Sequence, residues 1–265
     1  GHAFFLLHNA LTSLVKFYLP VSASTYVSWS SYDTLRNLFI MIQSPDASPS
    51  SELDSVSFMQ YMTAFTPSPT NKLPPSQYTY LNGVSAYSPL TNSLINTFVA
   101  DNINFVATGA EGGISNTMLV PGRNMDGSPA NVAFSIDWTQ IQLNQAISNA
   151  VINGSNNPVA PLYYNQDGIN FLQNVAGTVA SRAIQSGLAL GQIVLTQLDP
   201  VTFATNVSNN VYAGNFVINA VPFSNYVATN PSDYAQGLYG GFSAAYTPQY
   251  GFFTIVFNLA VTQFA

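Results

Sequence analysis

The sequence predicts an α/β (α+β) fold: a mixed β-sheet covered by helices, with a long C-terminal strand available for pairing between subunits. Three observations predict it. Segments near 137–153 and 168–186 carry apolar residues at the three-to-four spacing of amphipathic helices. Short runs such as "GQIVLTQL" and "NFVINAVPF" have the β-branched, apolar character of strands. The sequence ends on "YGFFTIVFNLAVTQF", in which one apolar row alternates with Thr and Asn.

In sequence order, the first forty residues read as helix and then strand. Leu7, Leu11 and Leu14 form an apolar stripe, Pro20 stops it, and Leu38, Ile40 and Ile42 alternate in "RNLFIMIQS". A Pro/Ser-rich loop leads to Glu52 and Asp54, carboxylates that suit a helix N-terminus. The stretch "TPSPTNKLPPSQYTY" is either an internal boundary or one long loop. This divides the protein into a 1–66 α/β segment, which can belong to the same domain, a 67–80 loop or boundary, and an 81–265 α/β domain.

Within 81–265, "SPLTNSLINTFVA" reads as helix and "DNINFVAT" as a half-buried strand with Ile103, Phe105 and Ala107 alternating. "GAEGG" and Asp126-Gly127 mark turns. The next helix has a stripe of Leu143, Ile147, Ala150 and Val151, with Asp137 near its start and Gly154 just past its end. Its successor begins near Asp167, stops at Gly187 and presents Leu172, Val175, Val179 and Ala183 on one side. In the terminal strand Phe253, Ile255, Phe257, Leu259 and Val261 share a face, opposite Thr254, Asn258 and Thr262 and interrupted by Val256 and Ala260. With Tyr250, that apolar row is the candidate interface, because a terminal strand pairs either inside its own sheet or along a neighbour's edge.

Composition bounds the function. Of 265 residues only 5 are basic and 11 acidic, so charge makes up 6% where soluble domains average about 25%. Hydrophobic residues reach 47%, with 18 Phe and 15 Tyr, enough to bury a large core and to exclude disorder. Lys16, Arg36, Lys72, Arg123 and Arg182 form no basic stripe, and the net charge is −6, which excludes nucleic acid as a partner. Ser, Thr, Asn, Gln and Tyr must supply the polar exterior, which favours a subunit packed against copies of itself over a secreted low-charge domain. The absence of Cys excludes disulfides, thiolate nucleophiles and zinc held by thiolates. The apolar run Phe4–Val15 has no basic leader or Ala-x-Ala site and reads as helix, and no uninterrupted apolar stretch of about 20 residues forms a membrane span. Gly1-His2 reads as a cloning remnant and the missing initiator Met as the mark of a fragment or processed polypeptide.

Catalytic equipment is thin. His2 and His8 both lie in the first eight residues, so the elbow-like "GFSAA" at Gly241–Ala245 has no downstream base. "GLYGG" matches no dinucleotide fingerprint, and Pro129 stands where a calcium loop around Asn124, Asp126 and Ser128 needs glycine. Glu111, Asp126, Asp137 and Asp167 are the central acids; each sits beside Gly or at a helix start, where a structural duty outweighs a carboxylate hydrolase. Asn153-Gly154-Ser155 and Asn206-Val207-Ser208 match a glycosylation pattern too short to carry weight. No catalytic, metal-ligating or cofactor-binding residue is assigned, and no cofactor. Tyr163, Tyr164, Tyr212, Tyr226, Tyr234, Tyr239, Tyr246 and Tyr250 suit protein interfaces first and glycan binding second.

The ordered segments "PLTNSLINTFVADNINFVAT", "GRNMDGSPANVAFSIDWTQIQLNQAI", "PLYYNQDGINFLQNVAGTVASRAIQSGLALG" and "YAGNFVINAVPFSNYVATNPSDYAQGLYGGFSAAYTP", followed by the final strand, resemble bacteriophage contractile-tail sheath subunits. The resemblance runs from about Tyr78 to Phe264. This sequence departs from the family in lacking a basic residue in "YGGFSAAYTP" and at its end, "TQFA", and it lacks an N-terminal portion of the larger members. The resemblance implies a virion subunit, assembled in the host bacterial cytoplasm into homo-oligomeric rings or tubes around a tail tube. Its subunits are joined through terminal strands donated to neighbouring sheets. A receptor- or glycan-binding module and a carboxylate hydrolase are the alternatives.

Overall fold

The computed structural model describes residues 14–43, 54–111 and 114–252. About 41% of the described residues are helical and 19% strand, and these elements interleave along the sequence, so the fold is the mixed α/β one expected. The protein forms two compact units. The first draws its described residues from 14–64, 74–131 and 250–252, the second from 65–73 and 132–249. The Pro-rich stretch 66–80 supplies residues to both.

In the first unit, strand β1 (Phe17–Val21) pairs in parallel with β2 (Leu38–Ile42), from Phe17 opposite Leu38 to Val21 opposite Ile42. All five β2 residues are buried. Both edges of β2 are occupied: the Ile42 amide donates to Asn104 O at 2.7 Å, and the Asn104 amide donates to Ile40 O at 2.9 Å. An apolar run is the natural sequence for a strand covered on all sides. Pro20 lies inside β1 and does not end a helix as its sequence context implies. An outer strand tolerates a residue without an N–H. Leu14 is not helical, and Leu7 and Leu11 of the expected stripe lie outside the described residues.

Helix α1 (Asp54–Ala64) stacks Phe58 on Phe39, ring centroids 4.7 Å apart. Glu52 lies outside the described residues. Helix α2 (Asn92–Ala100) is capped by Thr91, whose hydroxyl accepts from the Leu94 amide at 3.2 Å. It delivers Phe98 into a ring of Tyr26, Tyr87 and Phe105, with centroids 5.1, 5.9 and 5.5 Å away. Strands β3 (Phe105–Glu111) and β4 (Ile114–Val120) form an antiparallel hairpin. Residues 78–81 run along β4, with the Tyr78 amide on Leu119 O and the Leu81 amide on Thr117 O.

The second unit is built on a three-stranded mixed sheet. Strand β6 (Phe216–Ala220), wholly buried, lies between β5 (Ile193–Thr196), parallel to it, and β7 (Phe242–Tyr246), antiparallel to it. Helices α3 (Ala130–Ser155) and α4 (Gln166–Gln185) supply most of the packing: Phe134, Trp138, Leu143 and Ile147 of α3 meet Ala176, Ala180 and Ala183 of α4 around Phe216 and Ile218. The short helices α5 (Pro200–Ser208), α6 (Phe223–Thr229) and α7 (Pro231–Ala235) fill the connections.

Two sequence expectations change here. Helix α3 begins at Ala130, so Asp137 lies inside it, and it continues through Gly154. Helix α4 buries Ile169, Gln173, Ala176, Gly177, Val179, Ala180 and Ala183 and leaves Leu172 and Val175 only half-buried. The reason is distance. Small side chains let the helix lie close to the sheet, and the Gln173 amide then reaches two strand carbonyls, Thr196 O at 2.8 Å and Ile218 O at 3.0 Å. Close packing thus selects a small-residue face over the more hydrophobic one.

Candidate functional site

The residues of the second unit leave a sheet with two open edges. Among the described residues no strand pairs with the outer side of β5 or of β7. The Phe216 amide donates to Gln192 O at 2.9 Å. In a parallel ladder the bonding residues alternate, so the N–H and C=O groups of Ile193 and Leu195 point away from β6. Their side chains are 38% and 45% exposed. Outer strands normally carry Lys, Pro or another charge to discourage pairing; Ile-Val-Leu-Thr carries none.

The few charges of residues 138–252 stand elsewhere, at helix ends. Asp167 is in the first turn of α4 and Arg182 in its last, with the guanidinium 5.7 Å from the Trp138 ring centre. Asp199 caps α5, accepting from the Val201 and Thr202 amides at 3.1 and 3.0 Å. The Thr202 hydroxyl, followed by the Thr202 and Val201 amides, holds its carboxyl below the usual carboxylate range against the effect of burial. Asp233 lies in the first turn of α7 and accepts the Tyr226 hydroxyl at 2.8 Å.

A second feature is a groove at the α3–α4 connection. Its volume is about 530 Å³, and Asn153, Asn157, Tyr163, Asp167 and Phe171 are among its walls. Gly168 lets the strap pass, since a Cβ there would overlap Tyr163 O. The rings of Tyr163 and Phe171 are 66% and 50% exposed. A more apolar hollow of about 330 Å³ lies alongside, sharing Leu162, Tyr163 and Gly168 and reaching Tyr239 and Phe242.

Most of the tyrosines singled out from the sequence are structural. Tyr164, Tyr226, Tyr234 and Tyr239 join Phe223 and Phe242 in an aromatic cluster with ring centroids 4.8 to 6.0 Å apart. Three of their hydroxyls are engaged: Tyr164 donates to Leu238 O at 2.8 Å, Tyr239 to Val221 O at 2.5 Å, and Tyr226 to Asp233. Burial, reinforced by the neighbouring Tyr164 and Tyr226, pushes the Tyr239 phenol far above its ordinary value. At Tyr226 the Gly240 amide pulls the phenol down, but the Asp233 hydrogen bond, burial and the Asp233 charge outweigh it. Tyr212 stacks on Phe203 and Tyr246 on Phe216. The rings of Tyr163 and Tyr250 are 66% and 52% exposed.

Phe253, Ile255, Phe257, Leu259 and Val261, the rest of the expected interface, lie outside the described residues, as do His2 and His8. Glu111 closes β3. Asp126 sits in a self-bonded turn, its Oδ1 accepting the Ser128 amide at 3.0 Å and hydroxyl at 2.5 Å. Ser243 of "GFSAA" lies in strand β7, opposite Asn219, so that segment makes no strand-to-helix elbow. Asn153 is in α3 and Asn206 in α5, where its amide donates to Tyr212 Oη at 3.1 Å. Among the described residues no three His, Cys, Asp or Glu gather to hold a metal ion, and no helix is long and apolar enough to cross a membrane. No family model matches the sequence, and no curated protein matches it either, so the site is read from its own geometry.

Proposed function

We propose that this protein is a structural subunit of a bacteriophage tail, sheath-like and non-enzymatic, that assembles into rings or tubes with copies of itself and with other tail proteins such as the tail tube. The uncharged outer edge of β5 carries the reading. Its outward backbone groups and the exposed Ile193 and Leu195 offer a ready ladder for an incoming strand. The alternating apolar sequence from Phe253 to Val261 is the complementary strand, donated by a neighbour. Backbone pairing of this kind holds while subunits turn as rigid bodies.

Two variants test it. Deleting Gly251 to Ala265 removes the donor, and Leu195→Pro removes an outward N–H while leaving the β5–β6 ladder intact. Both are expected to yield folded, soluble protein that forms no rings or tubes in negative-stain micrographs at concentrations where the parent does. Assembly unchanged in both would overturn the proposal.

A second reading rests on the groove beside α4. Two open rings, Tyr163 and Phe171, flank the uncharged amides of Asn153 and Asn157 and the carboxylate of Asp167, a combination suited to stacking on and hydrogen bonding a sugar. Glycan-array binding lost in Tyr163→Ala would support a receptor- or glycan-binding module; a blank array would remove it.

A further inference from the structure

The sequence contains two Asn-Gly pairs, Asn82-Gly83 and Asn153-Gly154, and two Asp-Gly pairs, Asp126-Gly127 and Asp167-Gly168. All four have the local chemistry for cyclisation, because glycine places no Cβ in the way of its own backbone nitrogen. The fold separates them. Gly154 lies in the ladder of α3, and its carbonyl also accepts from the Leu162 amide at 3.1 Å. The Gly127 amide donates to Asn124 O at 2.9 Å, while Asp126 Oδ1 is held by Ser128. The Gly168 amide donates to Asn165 Oδ1 at 2.9 Å as α4 begins.

Asn82-Gly83 differs on each count. Both residues are exposed in a turn, neither makes a hydrogen bond among the described residues, and no atom comes within 4 Å of the Cβ position of Gly83. Gly83 takes φ +77°, which keeps the turn without help from its neighbours. The anchors lie just outside it. The Leu81 amide donates to Thr117 O at 3.1 Å, its carbonyl accepts the Thr117 hydroxyl at 2.6 Å, and Val84 is buried.

We propose that Asn82 is a site of self-catalysed modification, converting to aspartate and isoaspartate in the folded protein. The Gly83 nitrogen, losing its proton to solvent base, attacks Asn82 Cγ; the new C–N bond closes a five-membered imide as the bond from Cγ to Nδ2 breaks and ammonia leaves. Water then opens the imide at either carbonyl, giving aspartate or the β-linked isomer with one extra backbone carbon. Either product adds one negative charge to a protein whose net charge is −6. The β-linked product also lengthens the turn between the Leu81 and Val84 anchors.

The test is peptide mapping by mass spectrometry after incubating the folded protein in mildly alkaline buffer, with isoaspartate methyltransferase labelling as a second readout. Folded protein should convert Asn82 roughly tenfold faster than Asn153, whose amide is released only when the helix end opens. Urea-unfolded protein should convert both at similar rates. Asn82→Gln should abolish the folded-state methyl acceptor. Equal rates at the two sites in folded protein, or an unchanged Asn82 over a period in which the unfolded form reacts, would overturn the proposal.

Discussion

Asn219 and Leu198 are joined by a reciprocal pair of bonds. The Asn219 side-chain nitrogen donates to Leu198 O at 2.9 Å, and the Leu198 amide donates to Asn219 Oδ1 at 2.8 Å. The same oxygen accepts the Thr196 hydroxyl at 3.0 Å. One buried amide in the central strand therefore fixes where β5 ends and the backbone turns toward α5. Asn104 does the same work in the first unit, donating to Ile40 O and Arg123 O at 2.8 and 2.7 Å and accepting from the Arg123 amide at 2.8 Å.

Replacing Asn219 by Leu keeps the branched outline of the side chain but strips the Leu198 amide and carbonyl of their partners. The expected loss is about 2–3 kcal/mol in chemical denaturation, since unsatisfied buried groups cost more than the bonds themselves gain. A loss under about 0.5 kcal/mol, within the range of an ordinary surface substitution, would show that water replaces the clamp.

Gly191 and Gly214 form a matched pair for separating strain from collision. Both have positive φ, +82° and +75°, but a Cβ on Gly191 would overlap Gly214 O, whereas one on Gly214 meets nothing within 4 Å. Gly214→Ala should cost about 1 kcal/mol, the ordinary penalty of that backbone region. Gly191→Ala should cost about 3 kcal/mol, because backbone must also move. Equal Tm shifts for the two would contradict the close approach.

Tyr239 gives a pH dependence with a definite sign. Its folded-state phenol ionises above the unfolded value of about 10, so the fold holds this hydroxyl neutral: its contribution is whole below that value and is lost as pH rises through the folded one. Tm should therefore fall from about pH 10 upward. In Tyr239→Phe the decline should be shallower, while stability at neutral pH drops by about 1 kcal/mol for the bond to Val221 O. Parallel Tm curves would show that other groups govern the alkaline limb.

The elements legible in the sequence are those whose pattern is local. Strands β2, β5 and β6 announce themselves as short β-branched runs, and α2 as a capped stripe after Thr91. Strand β1 is hidden by Pro20, whose cost vanishes only at an outer edge. The packed face of α4 departs from its apolar stripe because the sheet selects small residues, a preference that hydrophobic periodicity does not record. Helix α5 carries the Asp199-Pro200 start signal, but its length gives little periodicity to read. The clamps made by Asn104 and Asn219 have no local signature, since their partners lie up to 64 residues away. The groove is equally invisible: Asn153 and Phe171 share its wall only because the strap between α3 and α4 folds back.

The groups that lock the two units internally, Asn104, Asn219 and Gln173, are carboxamides. A carboxamide neither gains nor loses a proton in any medium a protein meets in water. These three clamps are therefore indifferent to acidity from sour to mildly alkaline surroundings, and acid acts on this fold through its few carboxylates, such as the Asp199 cap, and not through the joints between its strands.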